Sequence, residues 1–441
     1  MLLTDDGAFQ SGMLARTGHA SSLVNRAEAQ AILRSLLEAA LHAVDGRILV
    51  ARALHARAEP FAGVIALGKA ASSMLEGALQ AQPDVPALLI TKDGHVSPKL
   101  RSHPGVEVRE AGHPLPDARS LQAGRRLLEF IAASPKNVPL LFLLSGGASS
   151  LVEVLPTGVT LEDWIRVNAW LLTSGLDIHT MNAVRKRLSC IKGGRLLEHL
   201  ADRPVVVLMI SDVPGDDPAS IGSGLLVPSP EAPLPEGLPN WIERLLVTEP
   251  PSPAPEDGRW RQVESRIIAT NAMALDGAVQ AATCLGVPVH RHPEFLQGDA
   301  AEVGERLARW LRSAAPLGLH LWGGETTVRL PPEPGRGGRN QHLALSAALV
   351  LEGTTGITML AAGSDGTDGP TADAGGCVDG TTAALIRAAG FDPVRALAAA
   401  DSGTVLAAAQ ALVRLGPTGT NVMDFVLALK ETSAPASKVL D

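Results

Sequence analysis

The residues best placed to do chemistry stand where apolar runs end. Lys69 closes one such run in FAGVIALGKAASSML, residues 61–75, which from Gly63 reads G-x-x-x-x-G-K. A phosphate-binding loop of that form wraps its spacer amides around phosphate and gives magnesium a Ser or Thr hydroxyl. Here the spacer VIAL fits a buried strand and Ala70 has no oxygen to offer. The stretch therefore predicts a strand ending at Leu67, a turn at Gly68 and a helix from about Ala70. Lys69 then sits at a strand's carboxyl end beside a helix start, where an ammonium and free N–H groups both favour an anion. A surface lysine on a turn is the alternative reading.

The same device recurs along the chain. LLFLLSGGASSLV (140–152) runs into Ser145, Gly146 and Gly147, with Ser149 and Ser150 beyond. Paired glycines admit close backbone approach, and the following amides and hydroxyls can grip phosphate. GLHLWGGETTVRL (318–330) repeats it with Gly324, Glu325 and Thr326. Two such turns in opposite halves suggest that both halves face one ligand. VVVLMISDVPGDDPASIGSG (205–224) ends a strand at Asp212, and MLAAGSDGTDGPTADAGG (359–376) places Asp365, Asp368 and Asp373 after another. Their spacing fails the calcium-loop pattern but suits magnesium held through one or two carboxylates plus phosphate oxygens. In PGRGGRNQHLAL (334–345), Arg336 and Arg339 stand among glycines ahead of a helix, where a planar guanidinium can grip a carboxylate or phosphate. NAVRKRLSCIKGGRL (182–196) is mostly a solvated basic face, with Arg185 and Lys192 as candidates to line an anionic pocket.

Composition narrows the classes. The chain has 441 residues, 46% of them apolar, enough for two or three domains. Its net charge of −8 and lack of Tyr argue against nucleic acid. The start MLLTDDGAFQSG lacks a signal-peptide pattern, and runs such as PVVVLMI are strand-sized rather than membrane-spanning. Cys190, Cys284 and Cys377 lie far apart, so neither disulfides nor zinc are expected. A cytoplasmic protein without membrane contact is the expectation.

These residues need a frame. The spacing Ile32, Leu33, Leu36, Leu37, Ala40, Leu41 predicts a helix over 26–44 with Asn25 as N-cap and Glu28 three positions on. Apolar strands at 61–67, 86–92, 138–144 and 204–211 alternate with helices at 117–133, 160–174 and 179–200, the pattern of a parallel sheet covered on both faces. Chemistry in such sheets collects at the strands' carboxyl ends. Residues 228–255 carry nine prolines around NWIERLLV and read as a semi-rigid connection. A second series follows: strands at 265–269, 286–290, 318–322, 326–330 and 356–362, helices at 271–285, 299–314 and 340–352, and a strand-like end NVMDFVLALK. No H-E-x-x-H or G-x-S-x-G occurs, and no G-x-G-x-x-G follows a strand, which weakens a nicotinamide-dependent reading.

Taken together, GKA (68–70), AGHPLPD (111–117), SGGASSL (145–151), NAVRKRLSCIKGGRL, SDVPGDDPASIGSG (211–224), GGETTV (323–328), GRGGRNQ (335–341), GSDGTDGPTADAGG (363–376) and GPTGTNVMD (416–424) resemble the class II glycerate kinases. The resemblance spans roughly residues 25–430, departing at Ala148, where a third glycine is usual, and at Leu225. It implies a two-domain α/β enzyme with its active site in the interdomain cleft. A Rossmann-like glycerate kinase domain would cover 1–254 and a MOFRL-type α/β domain 255–441. It implies ATP- and Mg²⁺-dependent phosphorylation of D-glycerate to 2-phosphoglycerate, and is compatible with a homodimer. By position, Lys69, Arg339 and Asp365 fall on the family's catalytic lysine, arginine and aspartate. Substrate and phosphate contacts are expected from Ser145, Gly146, Gly147, Ser149, Ser150, Arg185, Lys192, Gly324, Glu325, Thr326 and Asn340, and metal contacts from Asp212 and Asp368. Asp365 would serve as base or metal ligand. Lys69 and Arg339 are expected to hold opposite anions across a crevice closed over the proline-rich connection. A hydroxypyruvate reductase using NAD(P)H, a kinase for another small hydroxy acid, and a silent binding protein are the rival readings.

Overall fold

Six of the chain's strands line up parallel in the order β3-β2-β1-β4-β5-β6: β1 (Gly63–Leu67), β2 (Ala87–Lys92), β3 (Val106–Ala111), β4 (Leu140–Leu144), β5 (Val205–Ile210) and β6 (Val263–Ala269). This is the doubly wound order, whose direction of travel reverses between β1 and β4 and opens a crevice there. The computed structural model describes residues 25–57, 59–176, 178–229, 233–246 and 251–432. The N-terminal stretch that lacks a signal-peptide pattern lies outside them, as do 230–232 and 247–250 of the proline-rich segment. The residues of β1, β4 and β5 are all buried, which is why each reads as an unbroken apolar run. β3 escapes the sequence reading because VEVREA alternates charge with apolar side chains, as a half-buried edge strand does.

The second sheet is mixed, in the order β11-β10-β9-β12-β8-β7: β7 (Val289–Leu296), β8 (Gly318–Gly324), β9 (Ile357–Gly363), β10 (Gly375–Asp379), β11 (Leu412–Val413) and β12 (Asp424–Lys430). Only β7 and β8 pair parallel; β12 runs antiparallel between β8 and β9. The strand expected at 326–330 does not form: past Gly324 the chain makes a single bridge, Thr327 to Asp299. β10 was hidden in a glycine-rich stretch whose glycines fit the pleat closely, a Cβ at Gly375 falling 1.9 Å from the Ala361 carbonyl. The helix expected over 179–200 ends at Arg187, and after Gly193 and Gly194, both at positive φ, a 3₁₀ turn spans Arg195–His199.

Sheet membership moves the expected division at residue 255. β6, read as the opening of the second series, is the sixth strand of the first sheet. The proline-rich segment therefore runs from β5 to β6 and leaves and rejoins one sheet. The link between the sheets is the helix Asn271–Cys284, which joins β6 to β7. The helix Arg26–Ala43, first in the chain, packs on that helix and on β9 and β12 of the second sheet. Its Asn25–Glu28 capping box forms as expected, Arg26 pairs with Asp379 at 2.9 Å and Arg34 reaches the Leu412 carbonyl at 3.2 Å. Leu33, Leu36 and Leu37 share one continuous apolar core with Val64 and Leu141 of the first sheet and Leu321, Leu360 and Phe425 of the second. The two sheets are thus joined by buried apolar surface, the strongest general source of adhesion in a folded chain. Among the described residues no helix is long and apolar enough to cross a membrane.

Candidate active site

The crevice is built first from backbone. Gly68 has φ +116°, and a Cβ there would lie 2.3 Å from Ser145 Oγ, so only glycine fits between β1 and β4. Beyond it the Lys69 N–H donates to the Gly146 carbonyl at 2.9 Å, and the Ala70 N–H donates to Ser145 Oγ at 3.0 Å. These bonds tie the two glycine turns together and aim Lys69 out of the first sheet. Its Nζ donates to Oδ2 of Asp365 at 2.9 Å, and Asp365 follows β9 in the second sheet. The other carboxylate oxygen accepts from the Thr367 N–H and Oγ1 at 2.9 and 2.8 Å. Burial opposes the charged form of Asp365, but the Lys69 ammonium and the Thr367 donors outweigh it and hold the carboxyl well below the carboxylate range. Burial likewise opposes the Lys69 charge, yet Asp365 and Asp212 raise its pKa above the ordinary lysine value.

Arg339 starts the helix Arg339–Leu351. Its Nε and Nη2 grip Asp424 at 2.5 and 3.0 Å, and its Nη1 lies 2.8 Å from Glu325. Asp424 opens β12 opposite Gly324 of β8, so the two carboxylates stand at neighbouring strand ends. Burial, with Asp424 and Asp212 adding to it, pushes Glu325 up to about 7 against the pull of Arg339. Lys69 feels Arg339 as well as Asp212. The structure therefore brings Lys69, Asp365, Asp212, Arg339 and Glu325 into one charged cluster across the sheets. Arg339 joins that cluster from a carboxylate clamp of its own.

Other expected contacts fall differently. Ser145 is spent on the tie to Ala70, and Ser150 donates to the Gly147 carbonyl at 3.2 Å. Ser149 meets Ser223 at 2.8 Å, and Ser223 donates to Asn182 at 3.2 Å. Gly146 and Gly147 pack against the cluster: a Cβ at Gly146 would meet Asp212 and Asn421, and one at Gly147 would meet Lys69 and His113. Arg185, half-buried, bonds Asn168 at 3.2 Å through Nε and has no ion pair among the described residues, and burial lowers its pKa. Thr326 is buried with no hydrogen-bond partner for its Oγ1 among them.

Three expectations are corrected. Lys192 does not line the crevice: it is wholly buried, paired with Glu153 and donating to the Ser149 carbonyl at 2.7 Å. Gly324 is small for packing, since a Cβ would sit 2.3 Å from the Leu296 carbonyl of β7. Asp368 caps a helix: its Oδ1 accepts from the Asn340 N–H and Nδ2 at 3.1 and 3.3 Å, and its Oδ2 from the Gln341 N–H at 2.8 Å. With two donors on Oδ1 and one on Oδ2, this carboxylate serves the helix start rather than standing free as Asp212 does. Asp212 is different. Among the described residues only the Asn421 amide, at 3.0 Å, donates to its carboxylate from another side chain, and burial pushes its pKa up. A carboxylate so short of donors suits a divalent cation. Among the described residues no three His, Cys, Asp or Glu side chains converge to hold a metal unaided, and magnesium bound partly through substrate phosphates does not require it.

The sequence reading missed Lys92, His95, His113, Asn421 and Asp424. The logic that picks out Lys69, a cation at the end of an apolar strand, applies equally to Lys92 in ALLITKDGH.

A doubly wound sheet whose strand ends meet cations and carboxylates from a second sheet defines an α/β enzyme acting on small anions at a two-sheet cleft. More closely, the chain belongs to the glycerate 2-kinase family. Residues 32–235 match a domain of unknown function, DUF4147, and residues 318–424 match the MOFRL family. A D-glycerate 2-kinase of Thermotoga maritima is 37% identical over 385 residues, covering 83% of this chain and 90% of that protein. A protein of Agrobacterium vitis named putative hydroxypyruvate reductase is 37% identical over 422 residues, covering 91% and 94%. The crystal structure of a glycerate kinase from Thermotoga maritima superposes with a TM-score of 0.77 at 34% identity, covering 91% of this chain and 99% of that one.

Proposed function

We propose that this chain transfers the γ-phosphoryl group of ATP to the 2-hydroxyl of D-glycerate in the cleft between its sheets. The observation that carries this reading is the Lys69–Asp365 pair, 2.9 Å apart, with one partner from each sheet. Phosphoryl transfer is chiefly positioning and charge neutralisation. Asp365, held ionised, accepts the proton of the attacking hydroxyl. Lys69 turns from Asp365 toward the transferring phosphoryl group, and its departure lets the carboxylate's basicity rise when a proton must be taken. Arg339 meets the phosphate chain from the second sheet, with Asp424 and Glu325 fixing its plane. Once Asp212 and Asn421 move apart, the glycine turn at Gly146 and Gly147 would let phosphate approach the backbone of the first sheet. Asp212 would hold Mg²⁺, which when bound neutralises charge on the phosphates.

The test is phosphorus NMR of the product made from ATP and D-glycerate. 2-Phosphoglycerate is expected; release of no ADP with glycerate overturns the reading. NADH consumption with hydroxypyruvate, followed by absorbance, would favour the reductase instead.

A smaller change probes the contact between the sheets. A Cβ at Gly146 would fall 1.6 Å from Asp212 Oδ2 and 2.3 Å from Asn421 Nδ2. Gly146→Ala is expected to part these side chains and to cost about 1–3 kcal/mol, as overpacking does. The glycerate kcat/KM should fall about tenfold, with a lowered melting temperature in the same sample. An unchanged kcat/KM would mean that the Asp212–Asn421 contact does not serve turnover.

A further inference from the structure

Beside the Lys69–Asp365 pair lie side chains that the proposed chemistry leaves unused. Lys92 ends β2, and the register sets it opposite Ala111, the last residue of β3. His113 comes two residues after that end, and the His95 N–H donates to the Lys92 carbonyl at 3.2 Å in the turn after β2. The carboxyl ends of two strands thus deliver all three to the side of β1 that faces away from β4. All three are half-buried. A Cβ built on Gly147 would lie 3.1 Å from His113 Nε2 and 3.2 Å from Lys69 Cγ, so the imidazole and the lysine flank the same bare glycine. Lys92 and His113 both sense the Asp365 charge, and their side chains have no hydrogen-bond or ion-pair partner among the described residues. The Asp365 charge and the Lys69 backbone both favour the charged form of His95 against its burial.

We infer that Lys92 and His113, with His95 behind them, form the pocket for the carboxylate of the hydroxy acid, and that this pocket decides which hydroxyl meets Asp365. The inference rests on the kinase reading above. Charge supports it. Burial, together with Lys92, Lys69 and their neighbours, pushes His95 down to about 4 and His113 to about 3, so both rings are neutral near pH 7. A neutral imidazole still donates one N–H to an anion. The side-chain charges that both rings feel are Lys69, Lys92 and Asp365, one net positive, which a single carboxylate balances and a triphosphate would exceed. Connectivity supports it too. In a 2-hydroxy acid the carboxylate and hydroxyl stand on adjacent carbons, so a carboxylate seated beside the base presents the 2-hydroxyl to it. The 3-hydroxyl lies one carbon farther away. Acid recognition and regiochemistry would thus have one cause.

The test uses the full chain, with Lys92→Met, Lys92→Arg and His113→Asn compared by steady-state kinetics in each substrate. A hydrogen bond to a charged group is worth roughly 1.5–3 kcal/mol, so Lys92→Met should raise the glycerate KM about thirtyfold. The ATP KM should stay within about threefold, Lys92→Arg should restore most of the loss, and the product should contain more 3-phosphoglycerate. His113→Asn should act in the same direction less strongly. A glycerate KM unmoved in Lys92→Met, or an ATP KM that rises in its place, overturns the pocket. Calorimetric titration of glycerate without nucleotide keeps the two readings apart. Wild-type binding that weakens in Lys92→Met supports the pocket even if ADP is never released, a result that would overturn the kinase reading alone. Equal glycerate binding by both proteins, or by neither, overturns the pocket.

Discussion

Asp365→Asn is expected to lower kcat for glycerate phosphorylation by about 10²–10⁴-fold, the usual worth of a positioned general base. The carboxylate has two oxygens with separate duties, one accepting from Lys69 and the other from Thr367. Asparagine keeps a single acceptor. If it turns that oxygen to Thr367, its amide faces the Lys69 ammonium, and the proton acceptor is lost in either orientation. The ATP KM should move far less than kcat, because Lys69 and Arg339 still carry their charges to the phosphates. Lys69→Met should also depress kcat, and the double variant should be little worse than either single one, since residues that act as a unit are not additive. Steady-state kinetics of the three proteins checks this. A loss of less than tenfold in Asp365→Asn would remove the base role and leave the residue as a partner for Lys69.

Much of this site was legible in the sequence, and the pattern of failures has a physical explanation. Lys69, Asp212, Asp365 and Glu325 stand out in the sequence because each follows a strand of buried, mostly apolar residues. Local sequence marks a strand's end, and in α/β sheets that end is where ligands bind. It does not reveal which face a side chain takes beyond the turn. Asp368 stands three residues after Asp365 and has the same chemistry, but its carboxylate is absorbed by the start of a helix far away in sequence. His113 follows β3, an edge strand with no apolar run to flag it. The division of the chain was misread for a related reason. Nine prolines look like a boundary, yet they lie between adjacent strands of one sheet, while the helix that joins the sheets, Asn271–Cys284, is unremarkable in composition.

That architecture bears on how the site closes. A linker of prolines would allow two bodies to swing apart. The shared core of Leu33, Leu36, Leu321, Leu360 and Phe425 with Val64 and Leu141 is apolar and continuous, and large apolar contacts resist such motion. The Lys69–Asp365 and Asp212–Asn421 contacts between the sheets are polar and stand apart from this apolar core. Rearrangement of side chains and turns, rather than a swing about residues 228–255, is the motion this fold accommodates.

Lys192→Met separates a structural lysine from a phosphate-binding one. Lys192 and Glu153 are both fully buried and paired with each other, and burial pushes Lys192 down and Glu153 up against the pull of that pairing. Glu153 also accepts from Ser189 Oγ at 2.5 Å and from the Val154 N–H at 2.9 Å, and the Trp164 ring centre lies 5.2 Å from the ammonium. Removing one member of a buried pair strands the other charge, so the single variant should lose about 3–5 kcal/mol of stability, read as a lower urea midpoint. Replacing both, with Lys192→Met and Glu153→Leu, removes the stranded charge and should recover most of that loss. Function should not recover alongside it. Lys192 also donates to the Ser149 carbonyl, which belongs to the turn carrying Gly146 and Gly147. With that donor gone in both variants, the turn loses an anchor and the ATP KM should stay raised in the rescued protein. If Lys192 instead touched phosphate, the single variant would keep its midpoint and lose only activity, and the double replacement would bring no recovery of stability because none would have been lost.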